Sequence, residues 1–339
     1  MILKKRYSLF IVFSFTLVSW AQEGIPVYFD YLSDNYYLVH PSMAGIGQGG
    51  KVRLTARKQW FDVDDAPNLQ TLNAHYRVGN KSGIGAILFN DANGYHSQSG
   101  IKLTYAYHLQ LGGEIRSLNQ LSFGLSTTVL QSSLDESEFK SIIPDPALIG
   151  SKISDAYFNI DLGMSYNFLE FYGHATILNV LSSKRNIYYK DRIDNPNIGI
   201  FDNLRRYLFS VGYIFDRGEW QFEPSTLFQM TDFTQERTID LNAKVYRDMD
   251  FGTVWGGVSY RRSFNGVQFV TGSAFGERRL QLITPIVGLN YNNFMVSYNY
   301  SYQMGDIRFD NGGFHQITLG FDFLQSEKRY DCKCPAANY

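Results

Sequence analysis

The sequence predicts an all-β protein: a transmembrane antiparallel β-barrel of about 14 strands, with short periplasmic turns and long extracellular loops. Three observations predict it. Apolar and polar residues alternate with a period of two through most of the chain. Aromatics and glycine are abundant, with 24 Tyr, 26 Phe and 30 Gly among 339 residues, beside 9 Pro and 2 Cys. That mixture suits repeated short strands, and two cysteines cannot build a disulfide framework. Finally, an export signal opens the chain, and no long apolar helix follows it.

Composition narrows the class further. Lys+Arg number 31 against Asp+Glu 32, a net charge of -1, which gives no electrostatic reason to expect nucleic acid as a partner. With 44% hydrophobic residues and a mean hydropathy of -0.22, the chain is neither disordered nor a helical membrane protein. A prior of about 150 residues per domain suggests two soluble domains. One barrel accounts for the length once the export signal is removed.

Residues 1–21 read as a Sec signal peptide. Lys4, Lys5 and Arg6 form a charged start, and residues 9–18 form an apolar run broken only by Ser14 and Thr16. Ser19-Trp20-Ala21 is a small-x-small cleavage site. The run falls short of the roughly 20 residues a bilayer-spanning helix needs. Residues 22–50 then form a periplasmic segment or a lumen plug, rich in aromatics at Tyr28, Phe29, Tyr31, Tyr36 and Tyr37.

The barrel is expected over 51–324, followed by a periplasmic tail at 325–339. Its strands are read near 51–60, 69–78, 82–90, 98–111, 118–131, 156–168, 170–180, 205–215, 218–230, 236–247, 250–262, 280–290, 294–302 and 314–323. Phe158, Ile160, Leu162, Met164, Tyr166 and Phe168 share one face, while Asn159, Asp161, Gly163, Ser165 and Asn167 share the other. A soluble sandwich alternates in the same way. Segments of about ten residues, against about 5–6 in soluble strands, favour the barrel. So do apolar faces ending in Tyr, Phe or Trp, and connections that alternate short and long. An even strand number puts both termini in the periplasm and every long loop outside. The strand-like stretch 267–275 is placed in an outer-loop hairpin across the long connection 263–279, because a further spanning strand would break the parity.

Arg53, Arg57, Arg77, Lys102, His108, Asp161, Asp240, Lys244, Arg261 and Asp322 fall on polar faces and so toward the lumen. A hydrated, salt-bridged interior explains such a set, since barrel lumens are generically polar. The sharper alternative is a selectivity or docking surface, with Arg53, Arg57, Arg77, Asp161, Asp240 and Arg261 as its candidates.

No catalytic or cofactor motif emerges. There is no G-x-S-x-G, H-E-x-x-H or phosphate loop, and the six His are scattered singly. His96 lies near Asp91 and Ser97, but within a turn rich in Asn and Gly. Cys332-Lys333-Cys334 lacks further metal ligands and reads equally as a local disulfide or two thiols. No enzyme activity, metal or cofactor is expected.

Ordered short motifs carry a resemblance. They are Arg57-Lys58-Gln59-Trp60 with Ala66-Pro67, then Asp91-Ala92-Asn93-Gly94, Tyr105-Ala106-Tyr107 and Leu121-Ser122-Phe123-Gly124-Leu125. Tyr260-Arg261, Tyr298-Asn299-Tyr300, His315-Gln316-Ile317 and Cys334-Pro335 follow in order. Together they resemble the PorP/SprF family of outer-membrane components of the type IX secretion system, most of all its gliding-motility branch. His40-Pro41-Ser42-Met43-Ala44-Gly45 departs from the family in having His where Asn usually precedes Pro, and Gln316 stands where Glu is common.

The resemblance implies an outer-membrane barrel needed for secretion or surface attachment of a large adhesin through its C-terminal region. Its partners would be that adhesin, other components of the system, and lipid. The outer hairpin, with Val267, Phe269, Thr271 and Phe275, is the expected partner-binding element, by strand addition. The competing reading is a FadL-like or porin-like transporter of small solutes, which would show a plugged lumen with an apolar pocket and a lateral opening.

Overall fold

The computed structural model describes residues 35–47, 49–59, 65–112, 117–137, 139, 150–181, 204–232, 234–271, 274–304 and 313–324, with the backbone alone at 267–278. The signal peptide, Tyr28, Phe29, Tyr31, Cys332, Cys334 and the tail lie outside the described residues. Two 3₁₀ turns, Tyr36–Leu38 and Pro41–Met43, precede the sheet. The strands are β1 (Gly50–Gln59), β2 (Asn68–Val78), β3 (Ser82–Asn93), β4 (His96–Gln110), β5 (Asn119–Asp135), β6 (Lys152–Phe168), β7 (Phe171–Leu178) and β8 (Arg206–Tyr213). They continue with β9 (Phe215–Arg217), β10 (Trp220–Thr231), β11 (Arg237–Met249), β12 (Gly252–Thr271), β13 (Ala274–Tyr291), β14 (Phe294–Met304) and β15 (Gly313–Phe323).

All belong to one antiparallel sheet that closes on itself, because β15 pairs with β1 from Gly50↔Phe323 to Gln59↔Phe314. β8 and β9 share the partner β10 and form a single stave, so the 15 strands make fourteen staves. Closure is what lipid demands: with no water to satisfy backbone groups, an open edge is not viable. The alternation does the rest. Leu54, Leu72, Leu88, Val129, Leu162 and Leu319 are exposed to the surroundings, while Thr55, Asn73, Thr128, Asp161 and Thr318 are buried inside. Phe168, Phe215, Trp220, Phe251, Tyr291 and Phe294 are exposed around the short-turn rim. Phe294 packs on Phe321 at 5.1 Å and Tyr213 on Phe215 at 4.8 Å, building an aromatic girdle. On the lipid face, an apolar groove of about 790 Å³ crosses β4 to β8, with Ala175 low between Met164 and Phe209.

Three expectations are corrected. Residues 263–279 are not a loop; the hairpin expected there is the outer end of one β12–β13 ladder that runs on to Thr271↔Ala274. A register shift between Arg262 and Gly266 marks the passage, the kind of bulge expected at a barrel rim. The connection at 132–155 is likewise partly strand, since Ser132↔Asp155 and Ser133↔Ser154 extend the β5–β6 ladder. Finally, the stave read at 205–215 breaks at Ile214. Between Ser225↔Gly212 and Phe222↔Phe215 the ladder skips Pro224, which has no N–H to give.

Candidate functional site

The site is the lumen and the segment inside it, residues 35–46. A barrel of eight strands is just filled by its own side chains, and one of fourteen is wider. Here the extra space is taken by a neutral stretch of chain. Tyr36, Tyr37, Leu38, Val39, Met43, Ala44 and Ile46 are all buried. His40 is extended, as the residue before a proline prefers, and Pro41 starts the second 3₁₀ turn. Gly45 reverses the chain at φ +66, toward β1.

Glycines make the cradle. A Cβ at Gly83 of β3 would collide with the Ala44 carbonyl, and one at Gly124 of β5 with the backbone at Pro41 and Ser42. The segment therefore lies directly on the sheet.

Its polar atoms are matched along the wall. Gly45 donates its N–H to His75 Nδ1 at 2.9 Å and accepts from Arg77 Nη1 at 2.9 Å. The Ala44 carbonyl accepts from His108 Nε2 at 3.0 Å, which fixes that tautomer because a carbonyl only accepts. Ser42 Oγ lies 2.5 Å from Ser165 Oγ. His40 reaches Thr176 at 2.8 Å and Ser210 at 3.2 Å, and its ring lies 4.7 Å from that of His174. Burial pushes the His40 imidazole well below its usual range, and His174 adds to this. Tyr37 donates to Thr104 at 2.9 Å, and burial raises its hydroxyl above the usual value.

At the N-terminal end of the segment lies Glu223 of β10, buried. It accepts hydrogen bonds from Tyr36 at 2.7 Å, Tyr172 at 2.5 Å and Tyr246 at 2.6 Å, and faces Lys244 Nζ at 3.2 Å. Lys244 in turn sits 5.0 Å over the Tyr246 ring and 5.6 Å over the Trp255 ring.

The lumen candidates read from the sequence each have a definite place. Arg53 pairs with Asp322 at 2.5 Å, Lys102 with Asp161 at 2.5 Å, and Arg261 with Asp240 at 2.6 Å. Arg57 lies 5.3 Å over the Phe314 ring, and Arg77 holds Gly45. These groups line the wall in separate pairs rather than one cluster. The side chains of Val267, Phe269, Thr271 and Phe275 lie outside the described residues. His96 bonds to Ser132 at 3.0 Å, across the β4–β5 ladder. Glu223 and His174 were not singled out from sequence. The signal for Glu223 was parity: it alternates with Trp220 and Phe222, which face outward.

Among the described residues, Lys51, Arg53, Arg57, Arg77, Lys102, Arg206, Lys244 and Arg261 are buried, against Glu136, Asp161, Glu223 and Asp240. Half-buried acids complete the balance of the interior, with Asp91 set against Arg57 and Glu236 against Arg206.

The family described as "Type IX secretion system membrane protein PorP/SprF" matches residues 21–321. The chain belongs to the PorP/SprF family. Membership places it in the outer membrane as a barrel of the type IX secretion system, a setting in which it interacts with other components of that system. No protein of curated function matches. The PorP/SprF chain is similar to the CymD monoaromatic hydrocarbon channel at 9% identity and a TM-score of 0.48, over 86% of this chain and 93% of that one. It is similar to a TodX monoaromatic hydrocarbon channel mutant at 10% and 0.47, over 84% and 92%. It is also similar to Salmonella typhi OmpF at 12% and 0.37, over 82% and 98%.

Proposed function

We propose that this barrel is a non-enzymatic anchor that retains a large secreted adhesin at the cell surface by binding its C-terminal region. The observation that carries the reading is the β12–β13 ribbon. β11 accompanies β12 only as far as Thr238↔Ser263, and β14 accompanies β13 only from Gln281↔Met304. Beyond those points the two strands pair with each other alone, from Val267↔Arg278 to Thr271↔Ala274. Among the described residues, no strand lies against the outer edges of 267–271 and 274–278. A two-stranded ribbon raised above the rim suits strand addition, in which main-chain hydrogen bonds supply affinity. Its side chains at Val267, Phe269, Thr271 and Phe275 would supply specificity. For the solute-transporter reading the filled lumen counts in favour, and among the described residues a lumen pocket beside Lys102 and Asp161, about 40 Å³ and of mixed polarity, counts against.

Deleting residues 264–277, with heat-modifiable gel migration as the check on barrel folding, tests this. The expected outcome is adhesin released into the medium. Unchanged retention on cells overturns the proposal.

A further inference from the structure

We propose that the outer ends of β11, β12 and β13 form a headgroup site on the lipid face, where Arg237, Arg262 and Arg279 hold the phosphate of an anionic outer-leaflet lipid.

Register brings the three together. Arg262 stands opposite Ile239 of β11 and Gln281 of β13. Arg237 and Arg279 lie two residues farther out on those strands. Each is thus a diagonal neighbour of Arg262, with backbones about 7–8 Å apart and long side chains within reach. Parity turns all three outward. Arg237 shares its face with Leu241, Arg262 with Val258 and Arg279 with Val287, and these apolar residues are exposed to the membrane. Arg237 opens β11, and Arg262 lies in the last row that β11, β12, β13 and β14 share before the ribbon leaves the wall. An arginine there lays its apolar stem along the acyl chains and carries its guanidinium to the headgroups.

Two of the three have no carboxylate partner among the described residues. Arg262 is exposed and makes no hydrogen bond or ion pair there. The Arg237 guanidinium reaches Gln235 Oε1, a neutral acceptor, at 3.3 Å. The acids close by in sequence are engaged elsewhere. Asp232 faces Arg205 at 3.7 Å, Glu236 is set against Arg206, and Asp240 bonds to Arg261 inside the barrel. The ribbon beyond adds one acid and one base, Glu277 and Arg278. Neighbouring cations repel one another, more so beside lipid than in water, and an anion between them removes that cost. A guanidinium fork matches the oxygens of a phosphate. The apolar strip directly below takes the acyl chains of the same molecule, so the occupant is a lipid rather than free phosphate.

Native mass spectrometry of the purified barrel, released from nanodiscs of phosphatidylcholine and phosphatidic acid, tests the site. Phosphatidic acid should stay bound in preference to phosphatidylcholine. Arg262→Gln should weaken its retention about fivefold, and adding Arg237→Gln and Arg279→Gln should abolish the preference. Arg247→Gln, which removes an arginine stacked 4.9 Å over Trp220 at the short-turn rim, should leave it unchanged. Equal retention by the wild type and the triple variant overturns the site, as does equal retention of the two lipids. Displacement of phosphatidic acid by inorganic phosphate at matched concentration overturns the lipid as occupant. Should gel migration show the triple variant misfolded, the single exposed change Arg262→Gln decides, and unchanged retention overturns the site. Lipid retention is read on purified protein, so a failure of adhesin anchoring on cells leaves these outcomes untouched.

Discussion

Glu223 and Lys244, each with a side chain 1% exposed, show how closely the interior is balanced. Replacing Glu223 with Leu strands a buried ammonium among Tyr36, Tyr246 and Trp255, at a cost of about 3–5 kcal/mol. Lys244→Met alone should cost about as much, by leaving the carboxylate unpaired. The double variant should recover most of the loss, because removing both partners of a buried pair is often close to neutral. Urea unfolding in lipid reads all three; costs that simply add would refute the coupling. His40 gives a second test at this scale. Its native form is held neutral, so only the undocked segment takes up the proton as pH falls below the usual value of 6.5. Docking is at full strength above that pH and weakens below it, by up to about 1.4 kcal/mol per pH unit. Hydrogen-exchange protection of residues 38–46 should therefore fall between pH 7.5 and pH 5, and His40→Asn should reduce the dependence. Protection that ignores pH would contradict this.

Among the elements, the stave made of β8 and β9 is the weakest link in the wall. Pro224→Val would give β10 the missing N–H opposite the break. Slow exchange should then appear at residues 213–215. Global stability should move by less than about 1 kcal/mol, because the new hydrogen bond is offset by a freer unfolded chain. Unchanged exchange would place the cause of the break elsewhere. Strand positions were legible because side-chain parity is a local signal: Phe158 to Phe168 and Asn159 to Asn167 separate onto two faces with no knowledge of the partner strand. Strand ends were not. Ser132, Ser133, Ser154 and Asp155 are individually poor strand formers, and the ladder they share is visible only once β5 and β6 are paired.

For the whole molecule, the same distinction separates what could be read early from what could not. The lipid face, the even stave number and the polar lumen follow from periodicity alone. The path of residues 35–46 does not, because its partners are scattered from His75 to Glu223. Gly83 and Gly124 meant only small lumen residues until the chain that lies on them was placed. Residues 47–49 join Ile46 to β1 and give the inner segment a very short leash. A tether that short holds the segment at an effective concentration of about mM or more. A free peptide at ordinary concentration competes poorly for the same cradle against that value. A molecule that is to occupy the cradle must therefore hold the barrel by a second contact, and so gain the same intramolecular advantage.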